Sequence, residues 1–205
     1  MSYRIMGALV LLFTASVIAA VMVISSLTTA DMERLGKRAA DGDMGAIDEI
    51  ARIANDLYKN IDYDKESRRV LSNLKLMRAA FAPIGTQAGE GSPSAMRALA
   101  YANQDQHLSV FVPEALGIAA GMGNDDALKM LLNYEQHDFL LSSVVFALHN
   151  AANKNVDEAV SFLIEVISDP DTRPLWRAAS QGLVGAASRG NLRAIEALDI
   201  YNESR

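Results

Sequence analysis

The sequence contains no cysteine, few aromatic residues and little glycine or proline. The absence of cysteine excludes disulfides, thiol nucleophiles, cysteine-ligated zinc and iron–sulfur clusters. Aromatic residues make up 6% of the 205 residues, whereas hydrophobic residues make up 50%. The 13 glycines and 5 prolines are too few for a low-complexity chain. This composition predicts a folded, helical protein in which alanine recurs and bulky rings are rare.

Positive charge is also scarce. The chain carries 19 Lys and Arg residues against 25 Asp and Glu residues, which gives a formal net charge of −6. The acidic excess lies in residues 98–205, and much of it occupies positions that predict the first turns of helices. A protein that binds a phosphate backbone needs a basic surface, so this balance argues against a nucleic-acid partner.

The longest uncharged run lies at the amino terminus. Residues 5–24 carry no charged side chain, and only Thr14 and Ser16 are clearly polar. A helix of this length rises about 30 Å, the thickness of the hydrocarbon core of a bilayer. The apolar stretch of a signal peptide is usually about 7 to 15 residues, so the length favours a retained signal anchor over a cleaved signal peptide. We assign residues 1–30 to this segment, and the small residues up to Ala30 would also permit cleavage there.

The charges that flank this run leave its orientation open. Arg4 precedes the run, whereas Arg34, Lys37 and Arg38 follow it, and a count of these residues would keep the following domain in the cytoplasm. Residues 25–33 hold no positive charge, however, and a single arginine before the run is ordinary for an exported protein. We expect a domain that is anchored facing the periplasm or exterior, or secreted after cleavage.

The carboxyl-terminal half matches itself when it is shifted by 32 and then by 35 residues. The matching columns hold leucine or alanine: Leu116, Leu148 and Leu183; Ala119, Ala151 and Ala186; Ala127, Ala159 and Ala194; Leu131, Leu163 and Leu198. A weaker copy begins near Ala39, and a fifth copy contains Ala95 and Leu99. We therefore predict five units in a domain of residues 31–205, with an insertion at about 58–70 and a loop at about 85–92.

Each unit has the pattern of two helices joined by a tight turn. In the third unit, Leu116 and Ala119 share one helical face, and Gly121 and Gly123 can adopt the left-handed conformation that ends a helix. Asn124 then suits the N-cap of the second helix. One such hairpin cannot bury its apolar face alone, so neighbouring hairpins must stack. The fold class predicted from this pattern is all-α.

The order of two alanines, a turn, an Asn- or Asp-rich cap and Ala-x-x-x-Leu resembles HEAT-type helical repeats. It is most similar to the short version found in bacterial proteins and in phycobilisome-lyase-like chains. The resemblance spans residues 31–201 and is clearest over 108–200; it implies a right-handed α-solenoid of about five helical hairpins. The period of 32 to 35 residues is shorter than the roughly 40 to 47 of a standard HEAT unit, and Sel1-like repeats are an alternative.

The ionisable residues form no recognisable catalytic or metal-binding pattern. His107, His137 and His149 make no His-x-x-x-His or Glu-x-x-His pair that would place two ligands on one helix face. Oxygen side chains alternate over residues 60–66 as at the start of a calcium loop, but Lys65 stands where that loop requires glycine. We predict a protein that is not an enzyme and that uses no cofactor and no metal.

A solenoid presents an extended surface, and this favours a module for protein–protein interaction. The hypothesis is a membrane-anchored or exported protein, attached through residues 5–24, that binds a protein or peptide partner. Stacking would align two columns of candidate binding residues on the second helices: Lys129, Ser161 and Glu196 in one, and Met130 and Phe162 in the next. Alternatives are a structural scaffold of an envelope complex and, less favoured, a repeat-containing lyase-type enzyme.

Overall fold

The computed structural model describes residues 27–59, 66–136 and 141–203, and over these ranges the chain is all-helical, as predicted. Its helices are α1 (Thr29–Ala40), α2 (Met44–Tyr58), α3 (Ser67–Gly89), α4 (Pro93–Ala102), α5 (Val112–Gly121), α6 (Asp125–Leu132), α7 (Leu141–Ala152), α8 (Asp157–Ser168), α9 (Trp176–Ala187) and α10 (Leu192–Glu203). Short 3-10 helices follow α6 (Asn133–Gln136) and precede α9 (Pro170–Leu175).

Within these ranges, no helix has both the length and the hydropathy to cross a membrane. The predicted membrane run at residues 5–24 lies outside the described residues. Helix α1 begins two residues before the predicted domain boundary at Asp31, because Thr28 caps it. The Thr28 hydroxyl accepts from the Asp31 backbone amide at 3.2 Å, and the Asp31 carboxylate accepts from the Thr28 amide at 3.1 Å.

The helices pair into hairpins that contact one another in chain order. We call α1, α3, α5, α7 and α9 the first helices, and α2, α4, α6, α8 and α10 the second helices. Each first helix packs on the second helix that follows it, and it also packs on the next first helix. The first helices therefore form a continuous row. Contacts between second helices are confined to fewer pairs, chiefly α2 with α4 and α8 with α10.

The same turn ends every first helix. One residue with a positive φ, between 64° and 106°, lies just before the second helix in each hairpin: Gly42, Gly91, Gly123, Asn155 and Gly190. The next amide then donates to the carbonyl five residues earlier, as Asn124 does to Ala119 at 3.1 Å. The prediction is confirmed for Gly123 and wrong for Gly121, which is the last helical residue of α5 and packs near Asn150 of α7.

Large aliphatic side chains between the two rows of helices form the core. The leucines of the first-helix column, Leu116, Leu148 and Leu183, are fully buried, as are Leu131 and Leu163 of the second-helix column. Leu198, at the matching position of α10, is only half-buried because α10 belongs to the last hairpin. The alanines of the other two matching columns are all buried.

Glycine allows close approach between neighbouring first helices from α1 to α7. A Cβ added to Gly85 of α3 would lie 2.6 Å from the Ala115 carbonyl oxygen of α5, and one added to Gly117 would lie 2.5 Å from that of Ala147 in α7. Gly36 of α1 meets the Ala80 backbone of α3 in the same way. Gly182 of α9 differs, because an added Cβ would meet the Leu163 side chain of α8 and would lie 3.4 Å from the nearest backbone atom of α7. Real Cβ atoms do not come closer than 3.0 Å to backbone, so Gly36, Gly85 and Gly117 set the spacing from α1 to α7.

The bounds of α3 correct two predicted boundaries. The loop expected at 85–92 is too wide, because α3 continues through Gly89 and only residues 90–92 form the turn. Of the insertion expected at 58–70, residues 60–65 lie outside the described residues, and α3 already begins at Ser67. A buried glycine within a helix and a glycine in a turn have the same sequence signature, which explains the first error.

Asn124 performs two functions at one turn, and this gives a stability prediction. Its Oδ1 accepts from the Ala127 amide at 2.9 Å, which caps α6, and its Nδ2 donates to the Ala88 carbonyl at 2.6 Å, which ties α6 to the end of α3. We expect Asn124→Ala to lower the free energy of unfolding by about 1 to 3 kcal/mol in urea titrations. Asn124→Ser retains a cap but not the bond to Ala88, so it should lose less. Equal losses would show that the cap contributes nothing.

Candidate binding groove

The predicted columns on the second helices do not form one continuous surface. Lys129 and Glu196 are exposed, and Met130 is half-buried. Ser161 is half-buried and donates its hydroxyl to the Asp157 carbonyl of its own helix at 2.8 Å. Phe162 is only 6% exposed and belongs to the core, so its assignment as a binding residue is wrong. The reason is that α8 packs against α7, α9 and α10 together, which leaves little of its surface free.

On the second-helix side, a small recess lies between α2 and α4. The Tyr101 hydroxyl donates to Asp48 at 3.0 Å, and this hydrogen bond, made across the recess, raises the pKa of Tyr101. Ile47, Ala51, Gln104 and Asp105 complete a volume of about 200 Å³. The hydrogen bond joins α2 of the first hairpin to α4 of the second at the protein surface.

A larger groove crosses the first helices α3, α5 and α7. It has a volume of about 430 Å³. Its apolar lining consists of Leu74, Val110, Phe111, Phe146 and Ala147, and its polar lining consists of Arg78, Glu114, Ser143 and Asn150. A recess of about 60 Å³ extends it along α3 and α5, past Ala82 and Ile118.

The groove exists because α5 is buried more deeply than its two neighbours. Among the ten residues of α5, Glu114 is the only exposed one. Helix α3 exposes Leu71, Lys75, Arg78 and Ala82, which helical spacing places on one face, so α3 forms one wall. Helix α7 forms the other wall, where Phe146 is exposed.

An ion pair lies across the floor of the groove. The Nε of Arg78 donates to a carboxylate oxygen of Glu114 at 2.9 Å and so joins α3 to α5. The two side chains are 61% and 49% exposed, and a pair with this exposure contributes at most about 1 kcal/mol. Its main effect is to fix where the one positive and the one negative group of the groove lie.

Aromatic rings support the floor and one wall. Phe111 stacks on Phe81 with 5.9 Å between ring centroids, and Tyr58 lies 6.4 Å from Phe111. Phe111 is buried, whereas Phe146 is 61% exposed. The groove therefore has an exposed aromatic ring on one wall and a stacked, buried aromatic pair beneath its floor.

None of the histidines that the structure describes lines this groove. Among the residues that the structure describes, no three His, Asp or Glu side chains come close enough to hold a metal ion. His149 is half-buried beside Gly182, and His107 lies in the turn before α5, within 3.2 Å of Gln106. His137 and the calcium-like residues at 60–65 lie outside the described residues.

The groove residues were not predicted from the sequence, although one signal was available. Glu114, Phe146 and Gln181 are related by the same shifts of 32 and 35 residues that align the leucine columns. This column contains no small or aliphatic residue in these three units, which marks it as a surface column, and Phe146 is its one large apolar member.

Comparisons of the chain with protein-family models, with curated proteins and with solved structures gave no match.

Proposed function

We propose that this protein is a membrane-anchored or exported, non-catalytic helical-repeat protein that binds a protein or peptide partner in the groove of α3, α5 and α7. The observation that carries this proposal is the exposed ring of Phe146 on the wall of a groove whose lining is mostly apolar. Interfaces draw most of their binding energy from a few such aromatic and arginine residues, and Arg78 lies in the same groove.

The proposed architecture is a short, HEAT-like, right-handed α-solenoid of five hairpins. Two observations support it: each first helix contacts the next in chain order, and the five turns share one left-handed residue at the same place. In such a stack each hairpin contacts mainly its neighbours, and the rows of helices provide extended binding faces.

The proposed anchor is the apolar run at residues 5–24. The capping box of Thr28 and Asp31 favours its retention, because cleavage near Ala30 would remove the N-cap of α1 and expose the first turn. Helix α1 begins at Thr29, only a few residues after the run. The hairpins, and with them the groove, would thus be held close to the membrane.

The proposal is tested with substitutions in the full-length chain, one in the groove of the first helices and one on the second helices. Partners are captured by crosslinking in native membranes, once with Phe146→Asp and once with the double reversal of Lys129→Glu and Glu196→Lys on the second helices. We expect Phe146→Asp to release the partner and the double reversal to keep it. Loss with the double reversal and retention with Phe146→Asp would instead place the binding face on the second helices.

A scaffold of an envelope complex is the second candidate, and the last hairpin favours it. Ile195 of α10 is 38% exposed, whereas Leu128 and Val160, at the matching positions of α6 and α8, are buried. Val184 of α9 is also exposed. A scaffold would be recovered at fixed stoichiometry in one complex, and its assembly would depend on Ile195 and Val184 in place of Phe146.

A further inference from the structure

The two rows of helices carry opposite charge. The first helices contain eight basic and three acidic residues, whereas the second helices contain four basic and eleven acidic ones. The first helices are therefore net positive, although the whole chain is net negative. Because charges on one face act together on an approaching ligand, the two rows would attract partners of opposite sign.

Beyond α1, most of the basic residues of the first helices lie on α3. From α3 onward the first helices carry Arg68, Arg69, Lys75, Arg78 and Arg177, and their one acidic residue is Glu114. Arg69 pairs with Glu66 at the start of α3. Lys75 and Arg78 are exposed on the same face of α3, one turn apart. The wall formed by α3 is thus positive.

Arg78 can contact a ligand without losing its partner. Only its Nε is bonded to Glu114, and a guanidinium has further N–H donors that can bind a carboxylate. The side chain is 61% exposed. Glu114 therefore holds the guanidinium at the floor of the groove, and at the same time its own charge opposes an acidic ligand.

We propose that the occupant of the groove is an acidic peptide with at least one large apolar side chain. The apolar side chain would enter between Leu74, Val110 and Phe146, and neighbouring carboxylates would meet Arg78 and Lys75. This inference rests on the proposed function and names its ligand class. The carboxylates of such a peptide complement the positive α3 wall, and its apolar side chain complements the apolar part of the lining.

The first measurement compares two synthetic peptides by fluorescence anisotropy with the full-length chain in a mild non-ionic detergent. One peptide combines glutamates with leucine and phenylalanine, and the other has lysine at every glutamate position. We expect the acidic peptide to bind about tenfold more tightly or better, with affinity that falls as salt rises. Tighter binding of the lysine peptide would overturn the acidic assignment.

Three variants then locate the charge effect. Arg78→Glu should weaken the binding of the acidic peptide by about tenfold, because it replaces an attraction with a repulsion. Glu114→Gln should strengthen that binding by about threefold, since it removes the opposing charge. Lys129→Glu, the same reversal on an exposed site of the second helices, should leave the affinity unchanged.

The outcomes separate this inference from the proposed function. If the lysine peptide binds better and Phe146→Asp abolishes that binding, the groove binds peptides but the acidic assignment is wrong. If neither peptide responds to Phe146→Asp or Arg78→Glu, the proposed function fails as well. A competition with dihexanoyl phosphatidylserine tests for a lipid. If this lipid displaces the labelled acidic peptide at a lower concentration than the unlabelled peptide does, the groove is a lipid-binding face and the proposal is overturned.

Discussion

Replacing Gly117 with alanine is expected to destabilise the protein by about 2 kcal/mol or more, even though alanine is the better helix former by about 1 kcal/mol. The added Cβ would lie 2.5 Å from the Ala147 carbonyl oxygen and 2.8 Å from the Ala147 Cα. Both are backbone atoms of α7, so the clash cannot be relieved by a change of rotamer. Helices α5 and α7 would have to separate.

Gly45 supplies the matched control for this substitution. It is exposed in the first turn of α2, and the nearest atom to a Cβ there is the flexible Asp43 carboxylate at 3.2 Å. Gly45→Ala should therefore leave stability unchanged or raise it by up to about 1 kcal/mol. The measurement is the urea midpoint followed by circular dichroism. A Gly117→Ala midpoint equal to or above that of the wild type would show that α5 and α7 are not in close contact.

The movement of α5 would also affect the groove. Glu114 and Gly117 belong to the same turn of α5, so a shift away from α7 would displace the Arg78–Glu114 pair relative to Phe146. We expect Gly117→Ala to weaken peptide binding, whereas Gly45→Ala should not change it. The spacing of the first helices and the shape of the groove are thus set by the same glycines.

The sequence was sufficient for the features that depend on local chemistry. The N-cap at Asn124 and the left-handed Gly123 both follow from residue type at a helix end, and both are present. The buried leucine columns also follow, because a repeated apolar position in stacked hairpins is a core position. These features required no knowledge of how one hairpin turns against the next.

The proposed binding face could not be obtained in that way. Phe162 and Phe146 are both phenylalanines in helices of the fourth hairpin, yet one is 6% exposed and the other 61%. The difference arises from how α7 and α8 are rotated against their neighbours. No pattern within one helix encodes that rotation, and only the polar residues at the matching positions of other units, Glu114 and Gln181, mark Phe146 as a surface residue. Gly85 shows the same limit, because its role depends on the Ala115 backbone of another hairpin.

Leu148→Ala is expected to lower the free energy of unfolding by about 2 to 5 kcal/mol, the range for a fully buried leucine. Leu148 has no exposed surface and lies in α7, which packs on both α5 and α9 as well as on α8. The cavity would therefore weaken two hairpin interfaces at once. Leu192→Ala is the control, because Leu192 is 78% exposed and its truncation should change stability by no more than about 0.5 kcal/mol.

A sharper test is which helices lose protection against amide hydrogen exchange in Leu148→Ala. Hairpins that contact mainly their neighbours can unfold in part, so Leu148→Ala should speed amide hydrogen exchange in α5 to α10 while α1 and α2 stay protected. Hydrogen exchange followed by mass spectrometry measures both regions in one sample. Equal loss of protection in α1 and α7 would show that the protein unfolds as a single cooperative unit, which would contradict the proposed solenoid.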